Sequence, residues 1–347
     1  MNSKQAFSAT LRFMGLVAGI LIVVHMVLPP FWGNPGLSEK VSFVKRNGHA
    51  YDRLFLGSSH IYRQLSPALF DSALHDGSRS FNMGYAATFS PEAELACGHL
   101  LAQPALAVKE MYVEVSPFME FKGKNLSSAR AWYMVSPTVW WLLFNHAREL
   151  GIGSDQNRWT LMKGVSEACV KAGLTLGLFD QLSKLEVRSS ALVFGPRGDG
   201  FMPLEEEMRL SFTNDLDRRV TELERDTLLI QQRMEQVRGY YSSMADLHVS
   251  KPHLDMLMHL MELGDRKGVK VYFILPPLIS SPEALAVFMA LPEERRIDLC
   301  DPAKFPEFYL AANAFDKGHL NDRGSGLFTA ALANEVKRMH AAGDRQP

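Results

Sequence analysis

Four short apolar segments recur along this chain, and helical segments separate them. They lie at Asp52–Leu56, Arg79–Met83, Glu110–Val115 and Val269–Leu275. Short runs rich in β-branched and aromatic residues are typical of buried strands, and strands that alternate with helices are typical of a parallel sheet. The pattern therefore predicts an α/β fold, with helices packed on both faces of a parallel sheet.

The helices between these strands have recognisable ends. Ser90-Pro91-Glu92 combines a capping residue, a proline and an early acid, and the apolar stripe that follows makes Cys97 a core thiol. Pro252 opens a second helix, which ends near Lys267-Gly268 immediately before the fourth strand. The three cysteines allow at most one disulfide, so the fold must depend on its core.

The N-terminal region contains a long apolar stretch. Phe13–Leu28 is broken only by His25, and Lys4 and Arg12 precede it. Its length suits a membrane span, and no small-x-small cleavage site follows it, which favours an anchor over a cleaved signal peptide. We therefore expect residues 10–32 to cross a lipid bilayer as one transmembrane helix.

The anchor sets the expected organisation of the chain. Residues 1–34 would form a cytoplasmic stub, the anchor and a linker, and residues 35–347 an extracytoplasmic domain. The positive-inside rule places the N-terminus in the cytoplasm and the domain in the periplasm, at a bacterial inner membrane. The 37 basic and 38 acidic residues nearly balance, so no nucleic-acid partner is expected.

Residues from about 117 to 250 interrupt the alternation of strands and helices. They are mostly helical in pattern and too long for a crossover, which predicts an insertion. Trp140 and Trp141 in it favour either an interfacial or docking helix or the insertion's own core. The heptad from Leu216 to Tyr241 favours a long helix packed within the chain over a coiled coil. Arg197, in a turn-dense loop, is either an anion contact or a surface residue.

The chemistry of the chain is predicted from three residues. Ser59 follows the first strand in Gly57-Ser58-Ser59-His60, and Asp316 and His319 precede the last helix. A serine hydroxyl is a weak nucleophile that needs a base, and the base needs a group that fixes its tautomer. The serine follows the first strand and the histidine follows the last, where parallel α/β sheets place their sites.

At these positions the sequence resembles the SGNH/GDSL hydrolase superfamily, which has a flavodoxin-like sheet. The resemblance implies that Ser59 is the nucleophile, Asp316 the orienting acid and His319 the general base. It also implies that the N–H groups of Gly84 and Ser59 face the oxyanion.

Two departures from the superfamily pattern are informative. Ser58 replaces the aspartate of the first block, and the Gly-x-Asn-Asp block expected after the third strand is absent. Ser116 is a candidate substitute for the missing oxyanion donor. With the anchor, these departures resemble the membrane-anchored branch that includes the D-alanyl transfer protein DltD and the SGNH partners of membrane-bound O-acyltransferases.

Further residues are candidates for the pocket. These are Ser58, His60, Asn82 and Arg197. His60 adjoins Ser59, but adjacent side chains on a turn diverge, so we interpret it as pocket-lining or structural rather than as the base. Neither a metal nor a cofactor is expected.

The resemblance implies O-acyl transfer, most simply of acetyl groups, to a polysaccharide through an acyl-serine, with a membrane-bound O-acyltransferase as partner. A membrane-tethered esterase or deacetylase with the same triad is one alternative, and a non-catalytic assembly subunit is another. A Ser59–His319 separation beyond about 6 Å would favour the assembly subunit.

Overall fold

The computed structural model describes most of the chain, namely residues 3–27, 35–104, 106–118, 137–149, 190–211 and 215–343. The chain divides into two compact units. The first comprises residues 1–35 and 120–187, and the second comprises residues 36–119 and 188–347. All predicted site residues lie in the second unit.

The described helices are α1 (Ser3–Val27), α2 (Pro35–Asn47), α3 (Ser59–Gln64), α4 (Pro67–Leu74), α5 (Glu92–Leu101), α6 (Pro137–Glu149), α7 (Ser190–Phe194), α8 (Leu204–Leu210), α9 (Leu216–Arg225), α10 (Leu228–Ser242), α11 (Lys251–Arg266), α12 (Pro282–Ala290) and α13 (Asp322–Gly343). The strands are β1 (Arg53–Leu56), β2 (Ser80–Asn82), β3 (Glu110–Glu114), β4 (Lys270–Leu275), β5 (Arg296–Asp298), β6 (Ala314–Asp316) and β7 (His319–Leu320). Single 3₁₀ turns lie at Gly48–Ala50, Met244–Asp246, Glu293–Arg295, Pro306–Tyr309 and Ala311–Asn313.

In the first unit, α1 contains the apolar N-terminal stretch as far as Val27, and its Phe13 and Ile20 side chains are exposed. Across the described parts of the chain, no helix combines the length and the apolar character needed to cross a membrane. The anchor at residues 10–32 stays a prediction. In α6, Trp141 is 58% exposed and stacks on Phe144. The side chain of Trp140 lies outside the described residues.

The second unit is built on one parallel sheet. Its strand order is β2-β1-β3-β4-β5, with Arg53 beside Glu110 and Val113 beside Phe273. The predicted α/β architecture is confirmed, and four strands match their predicted bounds to within one residue at each end. This order is that of doubly wound sheets, whose sites lie at the carboxyl ends of the strands. The sequence pattern missed β5, because its short span has charged residues at both ends.

Helices flank this sheet. α5 and α11 pack against each other and against β3 and β4, while α13 packs against α3 and α4. Cys97 in α5 is a buried free thiol, as predicted. The N-terminus of α5 differs from the prediction, because the helix begins at Glu92 and the Ser90 hydroxyl bonds to Glu94 rather than capping the helix.

The heptad predicted as one long helix forms two. Asp226 ends α9, and its side chain accepts the Leu228 N–H at 3.0 Å, which starts α10. Leu223 and Ile230, two residues of the heptad on either side of the break, are buried. Because residues 188–250 belong to the second unit and α9 packs on β6, half of the predicted insertion supports the candidate site.

Candidate active site

Ser59 is held at the carboxyl edge of the sheet by a tight turn between β1 and α3. Ser58 precedes the helix in an extended conformation, and its hydroxyl accepts the His60 N–H at 3.2 Å. A Cβ on Gly57 would lie 2.5 Å from the Ile61 Cγ1 and 2.6 Å from the Glu114 Cβ, so the turn needs glycine there. The turn leaves Ser59 half-buried as the first residue of α3.

Asp316 and His319 face each other across a small antiparallel hairpin. β6 and β7 pair these two residues directly, and Lys317-Gly318 forms the connecting turn. The three-residue spacing seen in the sequence is therefore the spacing of a cross-strand pair. Asn321 follows at once and starts α13, with its side-chain oxygen accepting the Gly324 N–H at 3.0 Å.

The three predicted catalytic residues form one hydrogen-bonded chain. The Ser59 Oγ lies 2.8 Å from the His319 Nε2, and the His319 Nδ1 lies 3.0 Å from each oxygen of Asp316. A carboxylate only accepts, so the neutral imidazole carries its proton on Nδ1 and its Nε2 accepts the Ser59 hydroxyl. This is the arrangement in which His319 can remove the serine proton.

The surroundings of Asp316 keep it ionised. Burial alone would raise its pKa, but the hydrogen bond and charge of His319, the Gly318 N–H at 2.7 Å and Arg219 at 3.4 Å hold the pKa below its usual range. The carboxylate is therefore available to orient and stabilise His319 throughout the neutral pH range.

His319 itself is kept neutral. Burial lowers its pKa, Asp316 raises it in opposition, and the positive charges of Arg63 and His60 lower it further. The net shift is downward from the ordinary value near 6.5. His319 can therefore accept a proton from Ser59 at neutral pH.

His60 belongs to a second network beside the triad. Its Nε2 lies 3.0 Å from the Gly318 carbonyl oxygen, and its Nδ1 lies 3.1 Å from Glu114. The Ser58 hydroxyl lies 3.2 Å from the same Nδ1, so both ring nitrogens of His60 have hydrogen-bond partners within the protein. Its ring stacks on His319, with centroids 5.5 Å apart, so it positions the hairpin and is not bonded to Ser59.

The oxyanion role of Gly84 stays a prediction, and its N–H already has a partner in the protein. It donates to the Asn82 side chain at 2.8 Å, a bond that an oxyanion would have to displace. A Cβ there would lie 2.6 Å from the Tyr62 nitrogen, so glycine is required for close packing against α3. The Ser59 N–H has no hydrogen-bond partner within the described part of the chain, which leaves it as the available donor.

Ser116, the other predicted oxyanion donor, is buried. Its hydroxyl accepts the Ser90 N–H at 2.9 Å, and among the described residues it makes no hydrogen bond to Ser59 or His319. The structure therefore places Ser116 in the packing of the loop after β3, and gives no contact that supports its predicted role.

Of three predicted pocket residues, two are buried within the fold and one is exposed at the surface. Asn82 is fully buried, and its amide donates to the carbonyls of Ile61 at 2.6 Å and Leu65 at 2.8 Å. Ser58 is buried, and its hydroxyl donates to Glu114 at 2.8 Å. Arg197 is exposed on the turn before Gly198, as expected of a surface residue.

Lys40 fixes the loop that carries Asn82 and Gly84. Its ammonium is fully buried and donates to the carbonyls of Asn82 at 3.0 Å, Gly84 at 2.7 Å and Gly200 at 2.7 Å. These bonds use all three of its donors. Burial lowers the pKa of Lys40 well below its usual value.

A cavity of about 370 Å³ opens beside the triad on the side of the hairpin. The cavity contains both charged and apolar groups, and its lining comprises Asp215, Arg218, Arg219, Glu222, Leu229, Arg233, Asp316, Lys317, Gly318 and His319. A substrate group held in this cavity would lie next to the proposed base.

Sequence reasoning missed Glu114, Lys40 and Arg219. A signal was available for Glu114, because a carboxylate at the end of an otherwise apolar strand is costly to bury without partners. Lys40 and Arg219 lie among other charged helical residues, and nothing in the sequence separates them from those neighbours.

No family model matches this chain, and no curated protein matches it. The functional assignment therefore depends on the geometry of the site and on the sequence motifs.

Proposed function

We propose that this chain is a membrane-anchored, extracytoplasmic O-acyltransferase that acylates a polysaccharide through an acyl-Ser59 intermediate. The observation that carries the proposal is the chain of hydrogen bonds from Ser59 through His319 to Asp316, with a Ser59–His319 distance of 2.8 Å. This geometry activates a hydroxyl for attack on a carbonyl carbon.

In the first step, the Ser59 Oγ bonds to the acyl carbonyl carbon of the donor while its proton passes to the His319 Nε2. The negative charge that forms on the carbonyl oxygen accepts the Ser59 N–H. The bond from the acyl carbon to the donor's leaving atom then breaks, and His319 returns the proton to that atom. The product is an ester on Ser59.

In the second step, a sugar hydroxyl loses its proton to the His319 Nε2 as its oxygen bonds to the acyl carbon. The ester bond to Ser59 then breaks, and His319 protonates the serine oxygen. The acyl group is now on the sugar and the site is restored. Water in place of the sugar hydroxyl would make the same site an esterase or deacetylase.

The membrane setting of the proposal comes from the sequence. The apolar stretch in α1 and the resemblance to the anchored SGNH branch support a chain that works with a membrane-bound O-acyltransferase, which would deliver the acyl group. The parallel sheet, with Ser59 directly after β1, is consistent with an SGNH-like domain.

The non-catalytic assembly subunit is the weaker alternative. That alternative predicted a Ser59–His319 separation beyond about 6 Å, well outside catalytic reach. The two side chains are instead within hydrogen-bond distance, and Asp316 lies behind the histidine. This arrangement supports the proposal of an enzyme over that of an assembly subunit.

The proposal can be tested with Ser59→Ala in the native host, scoring both polymer acylation and recovery of the membrane complex. We expect acylation to be lost while the complex is recovered intact. Ser242→Ala, on the exposed side of α10, is the matched control and should leave both unchanged. Undiminished acylation in Ser59→Ala cells would contradict the proposal.

A further inference from the structure

The cavity beside the triad borders the proposed reaction centre directly. Asp316 and His319 form part of its wall, together with the turn Lys317-Gly318 between them. Arg233, on α10, completes the wall beside this turn. A group bound here would be positioned by the same hairpin that carries the proposed base.

Most charges in the cavity wall neutralise one another. Arg218 is ion-paired with Asp215 at 2.6 Å and with Glu222. Arg219 bonds to Asp215 at 2.9 Å and approaches Asp316 at 3.4 Å. The three carboxylates of the wall are therefore all engaged with these two arginines or with the triad.

Arg233 is held in place without a carboxylate. Its guanidinium donates to the backbone oxygens of Lys317 at 3.2 Å and Ile279 at 3.4 Å, and to the Gln236 side chain at 2.7 Å. All three acceptors are uncharged. Its Nη2 makes no hydrogen bond within the part of the chain that the structure describes.

Lys317 adds a second cation at the hairpin turn. Its side chain is exposed, and its ammonium forms no ion pair with any other described residue. Two positive charges thus remain in the cavity wall without an anionic partner. One is a preorganised guanidinium whose Nη2 group has two free N–H donors, which suit the oxygens of a carboxylate or a phosphate.

We propose that this cavity binds an anionic group, a carboxylate or phosphate, on the polysaccharide that accepts the acyl group. This inference rests on the proposed function. Arg233 and Lys317 would hold the anion and so present a neighbouring hydroxyl of the same sugar to acyl-Ser59. The acceptor is therefore an acidic polymer rather than a neutral one.

Calorimetry on the full-length Ser59→Ala chain tests this binding without any reaction. The matched probes are a trigalacturonate and its fully methyl-esterified counterpart, in which a methyl group on each carboxyl removes its charge. A short glycerol-phosphate oligomer is the second anionic probe. We expect either the trigalacturonate or this oligomer to bind at least about tenfold more tightly than the uncharged methyl ester. The tighter of the two anions identifies carboxylate or phosphate as the group recognised.

Substitutions then locate the site. Added to the Ser59→Ala chain, Lys317→Gln should weaken binding of the preferred anion severalfold and Arg233→Gln about tenfold. Neither substitution should affect binding of the uncharged probe. Arg238→Gln is the matched control, because Arg238 is exposed on the same helix, pairs with Glu235 and does not line the cavity. The chain with Arg238→Gln should bind both probes with the same affinities as the Ser59→Ala chain that carries no second substitution.

The inference is overturned if neither anionic oligomer binds better than the uncharged probe, or if Arg233→Gln and Arg238→Gln behave alike. Either result leaves the proposed function standing if Ser59 is still acylated by a donor ester. Conversely, if Ser59 is never acylated, the proposed function fails even though a charge-dependent binding site is present.

Discussion

The imidazole rings of His60 and His319 stack 5.5 Å apart, but only His319 bonds to Ser59. The two histidines have different hydrogen-bond partners and therefore different roles. His319 faces a carboxylate on one side and a hydroxyl on the other, as a general base does. His60 is held between Glu114 and the Gly318 carbonyl, where its charge lowers the pKa of His319.

This relationship predicts a pH effect of His60→Phe. Activity requires neutral His319, so kcat/KM should fall as the pH drops through the pKa of His319. The substitution keeps a ring for stacking but removes the positive charge, so that pKa should rise and the acidic limb should move to higher pH. The measurement is the pH profile of kcat/KM on a model acetyl ester.

His259→Phe is the control, because His259 is exposed on α11 and should leave the profile unchanged. A His60→Phe profile with the same acidic midpoint as the unsubstituted protein would contradict an electrostatic role for His60. A lower rate with that unchanged midpoint would indicate that His60 acts only by holding the hairpin.

The second prediction concerns Asp316→Asn. The amide can donate a hydrogen bond to the His319 Nδ1, which favours the tautomer that cannot take the Ser59 proton. We expect kcat/KM to fall by about three to four orders of magnitude, with little change in the circular dichroism spectrum. Asp322→Asn, in the first turn of α13, should retain activity. Retained activity in Asp316→Asn would rule out the proposed orienting role.

The third prediction concerns Lys40→Met. The substitution removes the Lys40 hydrogen bonds to three buried carbonyls, so we expect the free energy of unfolding to fall by about 3 kcal/mol or more. Urea unfolding measures this change. Lys109→Met removes an exposed ion pair with Asp52 and should change stability little. Equal stabilities of the two variants would show that the Lys40 bonds are unimportant.

The sequence predicted the sheet well where strands are apolar. β1, β3 and β4 are buried runs whose composition leaves few alternatives, and their bounds matched. Arg296–Asp298 was missed because a short strand with charged ends carries no such signal. The heptad over α9 and α10 indicated the correct buried face, but it could not show that Asp226 would end the first helix.

Part of the site could be predicted because it depends on the order of strands along the chain. Ser59 directly follows β1, and His319 lies in the β6–β7 hairpin after the last strand of the parallel sheet, so the order of elements along the chain favours their meeting at one edge of that sheet. Sequence could not show that Asn82 would accept the Gly84 N–H, because that bond depends on the local path of the loop. Partners such as Arg219 and Lys40 come from distant helices, and their contacts are set by packing rather than by any motif.

The most direct measurement is mass spectrometry of the full-length chain after brief exposure to a reactive acetyl ester, followed by acid quenching. The proposed mechanism predicts one acetyl group on Ser59, formed faster at neutral than at acidic pH, and its loss from the site when Asp316 or His319 is substituted. An unmodified Ser59, or acetylation of Ser59 that is equally fast in His319→Ala, would contradict the central claim.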